Sequence, residues 1–148
     1  AQLRAQQHNV TYDTSVDVIT IVKDVANLKQ ICTQSGGLRP FGVSFLIAGV
    51  DTGGAKLFQT DPTGIYFEYK ACVIGEGEAE IEEVLHKEYK QDLSIDDSLK
   101  LGIKAITGAV EGTFSSERID CVAIKNDAVF QRIDNAKIDK LLKEVRKK

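Results

Sequence analysis

The side chains able to do chemistry are few and scattered. The histidines are His8 and His86; neither has a Cys, an Asp or a second His at ligand spacing, so neither marks a metal centre. No G-x-S-x-G turn presents a serine nucleophile. Cys32, Cys72 and Cys121 are odd in number and widely spaced without a C-x-x-C, which indicates neither a disulfide framework nor a zinc site. Cys72 and Cys121 sit in apolar, strand-like runs, where a thiol serves as a small hydrophobe. Gly75-Glu76-Gly77 has the outline of a phosphate loop, but it lacks a third glycine and a lysine. Glu76, Glu78 and Glu80 stand where a phosphate needs positive potential, so the segment reads as a strand-to-helix turn. Asp96-Asp97 is a carboxylate pair at a helix start, not an acid and a base across a cleft. Asn9-Val10-Thr11 matches a glycosylation sequon, which matters only to a secreted chain. No cofactor site and no metal site is expected.

The bulk properties narrow the class further. The chain has 148 residues, 43% hydrophobic and 28% charged, as an ordinary globular composition requires. Its longest apolar run, Val43 to Val50, is far too short to span a bilayer, and no signal-peptide pattern opens the sequence. A net charge of −3 argues against a nucleic-acid partner, since phosphate binding needs clustered positive surface. Lys137, Lys140, Lys143, Arg146, Lys147 and Lys148 do cluster, at the end of a helix whose dipole they complement. The unpaired cysteines fit a reducing cytoplasm.

The elements that position these residues follow from periodicity. Ala1 to Gln7 reads as the tail of a helix, and residues 8–14 as a polar connection. Ser15 opens a second helix whose Val18, Ile21, Val22, Val25 and Leu28 form a buried stripe, ended by Gly36-Gly37. A strand runs from Val43 to Ala48. Asp51-Thr52-Gly53-Gly54 is a hairpin turn, Ala55 to Thr60 the return strand, and Asp61-Pro62-Thr63-Gly64 a second turn. A third strand, Ile65 to Ile74, completes an antiparallel meander. Ile81, Val84, Leu85 and Tyr89 mark one helix face. Ser94 with Asp97 forms a capping box for a helix carrying Ile95, Leu99, Ile103, Ile106 and Val110. Strands Ile119 to Lys125 and Ala128 to Ile133, joined at Asn126-Asp127, precede a helix capped by Asn135 and faced with Ile138, Leu141, Leu142 and Val145. The class is α+β with an antiparallel sheet covered by helices, one domain or part of one. Phe41, Phe45, Phe58, Tyr66, Phe67 and Tyr69 lie on the strand region with few basic neighbours, as core or subunit contacts and not as a platform for bases.

One stretch is more specific. Gln34-Ser35-Gly36-Gly37-Leu38-Arg39-Pro40-Phe41-Gly42-Val43-Ser44-Phe45-Leu46-Ile47-Ala48-Gly49-Val50-Asp51 resembles the segment of archaeal proteasome α subunits in which a helix ends in Gly-Gly and an Arg-Pro-Phe-Gly-Val-Ser lead-in enters a central strand. The similarity continues collinearly through Leu57 to Gly64, Glu68-Tyr69-Lys70-Ala71, Ile74 to Gly77 and Lys87-Glu88-Tyr89, and Arg4-Ala5-Gln6-Gln7 matches the end of the family's long first helix.

The resemblance implies that residues 1–148 are a single partial proteasome-type domain. The implied fold is part of the four-layer α-β-β-α sandwich of the N-terminal nucleophile hydrolase superfamily, without the gating segment and the early strands. It implies a non-catalytic subunit of the core particle's outer ring. Partners would be the other α subunits of a heptameric ring, the β subunits and an ATPase activator, with no nucleic acid and no membrane. In this superfamily the β subunit's N-terminal threonine is the nucleophile; Ala1 has neither hydroxyl nor thiol. Contacts then fall to Gln6 and Gln7, which would face the β ring, and to Arg39, Pro40, Phe41 and Gly42, which would hold the helix-to-strand lead-in. Two other readings stand beside this one, an active hydrolase of the same fold and a free-standing interaction module.

Overall fold

A computed structural model describes residues 1–109, 114–126 and 130–146. They fall into two compact units, the first built on Ala1–Lys70 and the second on Ala71–Lys125 with 130–146. The chain is α+β, and both of its described sheets are antiparallel.

The first unit begins with helix α1, Gln2–Tyr12, which overruns the expected stop at Gln7. Thr11 accommodates this by donating its hydroxyl back to Gln7 O at 2.7 Å, and Asp13 ends the helix in the left-handed region at φ 52°. Helix α2, Val18–Gln34, buries Val18, Ile21, Val22, Ala26 and Lys29, while Leu28 is left 54% exposed. A stripe through 18, 22, 26 and 29 satisfies the helical period as well as one through 25 and 28, so the pattern alone could not choose.

Strands β1 (Phe45–Asp51), β2 (Gly54–Thr60) and β3 (Tyr66–Glu68) form a sheet in that order. Register pairs Ile47 with Phe58 and Phe45 with Thr60, and Phe58, Ile47 and Tyr66 meet Val18 and Val22 of α2. Leu46, Gln59 and Phe67 share the opposite face by register, and Phe67 is 61% exposed. The third strand is much shorter than the expected 65–74. Tyr69 N–H donates to Leu57 O at 2.9 Å and the ladder ends there, although the register would still set Lys70, Ala71 and Cys72 opposite Lys56, Ala55 and Gly54 of β2.

Asp51 locks the hairpin to α2. Its carboxylate accepts Val18 N–H at 3.1 Å and Gly53 N–H at 2.8 Å, thereby capping a helix that begins 33 residues earlier. Asp17, the residue at the N-cap position, makes no side-chain capping bond. Asp51→Ala is therefore expected to cost about 1–2 kcal/mol in urea unfolding, and Asp17→Ala less than about 0.5 kcal/mol.

In the second unit, helix α3 (Glu78–Glu88) buries Ile81. Helix α4 (Ile95–Ala109) starts at Ser94, whose Oγ accepts Asp97 N–H at 3.1 Å and donates to Asp97 Oδ2 at 2.6 Å. The expected box is thus half formed, since the short Asp chain meets the hydroxyl and not the Ser94 main chain. Of the expected α4 face, Ile103 is buried and Leu99 packs beside it, while Ile95 and Ile106 are exposed and Val110 lies outside the described residues. A single 3₁₀ turn, Ser116–Arg118, leads to β4 (Val122–Ile124), which pairs with β5 (Phe130–Arg132); both are shorter than expected, and the join at Asp127 is outside the described residues. Helix α5, Asn135–Arg146, follows Asp134 and not Asn135 as its first acceptor, with Lys137 and Ile138 N–H donating to Asp134 O. Its Ile138, Leu141 and Leu142 close the core with Ile103, Ile119 and Ile133, and Val145 packs against it, as their spacing requires.

Candidate functional site

Each candidate chemical residue has a definite place. His8 lies in α1 with Nδ1 3.3 Å from Thr14 O and its ring against Tyr12. His86 is exposed, 3.9 Å from Glu82. Among the described residues no group of three His, Cys, Asp or Glu side chains gathers at metal-binding distance. Burial pushes the Cys72 thiol up, and burial helped by Asp120 does the same to Cys121, so both disfavour the thiolate that nucleophilic chemistry needs. Gly75 and Gly77 take positive φ and form the turn before α3, whose first turn carries Glu78 and Glu80.

The family motifs, by contrast, converge. Helix α2 stops at Ser35, whose N–H donates to Ile31 O, and Gly37 turns the chain at φ 103°. Leu38, Arg39, Pro40, Phe41, Gly42 and Val43 then run exposed to β1. Beneath them lies Lys29, 1% exposed. Its ammonium donates to Val43 O at 3.0 Å, Thr60 Oγ1 at 2.8 Å and Asp61 O at 2.9 Å, with Phe45's ring centroid 4.4 Å away. The Thr60 carbonyl is a fourth, longer acceptor at 3.5 Å, so every donor of the ammonium is matched, which is what makes a buried lysine tolerable. Burial still lowers its pKa, an effect that the nearby Asp61 charge partly offsets.

The Asp61-Pro62-Thr63-Gly64 turn is a rigid half of this cage. Asp61 Oδ1 accepts Thr63 N–H, Thr63 Oγ1 and Ile65 N–H, within 2.7–2.9 Å. Those bonds, that to the Thr63 hydroxyl first, hold the carboxyl below its ordinary range. Gly64, at φ 95°, lies against α2 so closely that a Cβ would fall 2.5 Å from Ala26 O. The Arg39–Val43 and Asp61–Gly64 motifs, about 20 residues apart in sequence, thus meet on one side chain that is not among the apolar stripe expected of α2. The signal that could have found it was a lysine at an interior helical position flanked by Asn27-Leu28, where the buried stripe admits either 28 or 29.

Gln6 and Gln7 are exposed on α1, Gln6 beside Asn9, Val10 and Asp13 in a shallow surface hollow. Among the described residues no hydrogen bond joins them to Arg39–Gly42. The described helices include none long and apolar enough to cross a membrane.

The architecture is therefore an anchored, exposed segment on an α+β frame, and comparison with known proteins gives that frame its family. A family model described as proteasome subunit matches residues 1–124. The chain belongs to the proteasome subunit family. The proteasome subunit alpha of Methanocaldococcus jannaschii is 44% identical over 146 residues, 98% of this chain and 56% of that protein. The Methanopyrus kandleri proteasome subunit alpha is 37% identical over 145 residues, 98% and 58% of the two. Proteasome subunit alpha type-2-B of Arabidopsis thaliana is 39% identical over 142 residues, 96% and 60% of the two. The chain spans less than two thirds of the length of these relatives.

Proposed function

We propose that the chain is part of a non-catalytic α-type subunit of a proteasome core particle, a structural component of the outer ring of a compartmental protease. The observation that carries this is the near-complete alignment of the chain with proteins named proteasome subunit alpha. On this reading residues 1–148 are one partial proteasome-type domain from the four-layer α-β-β-α sandwich. The apolar sheet face bearing Leu46 and Phe67 is suited to burial beneath a second layer. Partners are the α subunits of a heptameric ring, the β subunits and an ATPase activator, in the cytoplasm, with no nucleic-acid or membrane role. Arg39, Pro40, Phe41 and Gly42 form one contact patch, and Gln6 and Gln7 another towards the β ring.

The test is co-expression of the natural polypeptide with a proteasome β subunit of a related archaeon, followed by native mass spectrometry and a threonine-directed covalent inhibitor. A high-mass assembly is expected, with the adduct on the β chain alone. Adduct on this polypeptide, or its persistence as a monomer, would overturn the proposal.

A further inference from the structure

The Arg39–Gly42 segment is exposed, yet its position is set from below. Among the described residues, the Lys29–Val43 bond is the one hydrogen bond made by the main chain of residues 39–44. Pro40 has no N–H to offer, and Gly42 leaves the backbone free to swing, since a Cβ there would meet nothing within 4 Å. On the other side of the ammonium the acceptors are fixed. Thr60 is fully buried and paired across the sheet with Phe45, and Asp61 is locked by its own turn. A buried ammonium that gives up Val43 O keeps Thr60 Oγ1 and Asp61 O and has only the long 3.5 Å contact to Thr60 O for its third donor, a poor match away from water.

We infer that Lys29 is a positioning residue for the Arg39–Gly42 contact patch, a tether that fixes the exposed segment by gripping the Val43 carbonyl. The inference rests on the reading of that segment as a subunit contact. No titration is needed for the device, and no ligand. Loss of the tether leaves Arg39 and Phe41 on a segment free to wander, and a contact surface that must be ordered on docking binds more weakly than one already in place.

The experiment uses the natural polypeptide. Lys29→Met keeps the length and removes the donors, while Thr60→Val disturbs the same buried site but leaves the Val43 bond. Chymotryptic cleavage of the Phe41–Gly42 bond, followed by mass under native conditions, is expected to be at least about tenfold faster in Lys29→Met than in Thr60→Val, the weight of one hydrogen bond from a charged donor. Equal rates at matched global stability would overturn the tether. Should Lys29→Met not fold, the unmodified protein decides. With a ¹³C-labelled Val43 carbonyl, scalar coupling across the hydrogen bond to the ¹⁵N-labelled ammonium is expected, and its absence overturns the inference. Arg39→Ala with Phe41→Ala tests the contact reading separately. Unimpaired assembly of that variant removes the contact role and leaves the cleavage result to judge the tether.

Discussion

Gly64→Ala is expected to lower the unfolding free energy by about 3 kcal/mol, the largest loss from any glycine-to-alanine change among the described residues. Two costs combine. Gly64 has φ 95°, where an L-residue is strained, and the new Cβ would stand 2.5 Å from Ala26 O and 3.1 Å from Gln30 N, both main-chain atoms of a helix. Neither can give way cheaply, because α2 is pinned at Val18 by Asp51 and at Lys29 by Thr60 and Asp61. The turn must therefore lift, taking the Asp61 carbonyl away from the lysine. Gly36→Ala is the matched control. Its site is open, with no positive φ, and a loss of no more than about 0.5 kcal/mol is expected there, with a small gain equally consistent. Urea unfolding of both variants decides; equal effects would show that the turn does not rest on the helix.

Ile103→Ala should cost about 3 kcal/mol, whereas Ile106→Ala should cost less than about 1 kcal/mol. Ile103 is 1% exposed inside the cluster of Ile119, Ile133, Ile138, Leu141 and Leu142, so its truncation opens a cavity lined by α5 and by the residues that follow the 3₁₀ turn and β5. Ile106 is 38% exposed, and water already reaches much of what the mutation removes. The pair separates the structure from the helical pattern, which put both residues on one face. Comparable losses, read by calorimetric or urea melts, would mean that α4 is rotated from the position described.

That contrast also shows where periodicity stops being informative. It located α2 to α5 but not the 3₁₀ turn Ser116–Arg118, and in α5 it picked the buried Ile138, Leu141 and Leu142 outright, because a charged neighbour flanks each of these and leaves one stripe only. In α2 and α4 apolar residues occupy more than one stripe. The choice among stripes belongs to tertiary contact, which is why Leu28 came out and Lys29 went in. Strand lengths failed for a related reason. The alternation from Ile65 to Ile74 continues after the pairing of β3 with β2 has stopped at Glu68, and a strand needs a paired neighbour as well as a pattern. The Arg39–Gly42 motif stands out in the sequence, but the lysine that lies beneath it does not. A lysine reads as solvated in one dimension, and only the meeting of Val43, Thr60 and Asp61 shows that it has partners.

The lysine's surroundings carry one more implication. Its acceptors are the Val43 and Asp61 carbonyls, the Thr60 hydroxyl and, at 3.5 Å, the Thr60 carbonyl, and no carboxylate bonds to it directly. Mobile ions weaken attraction between opposite formal charges far more than they weaken short contacts with shielded dipoles. An anchorage of this composition holds its grip across the wide range of cellular salinities in which exposed ion pairs come and go.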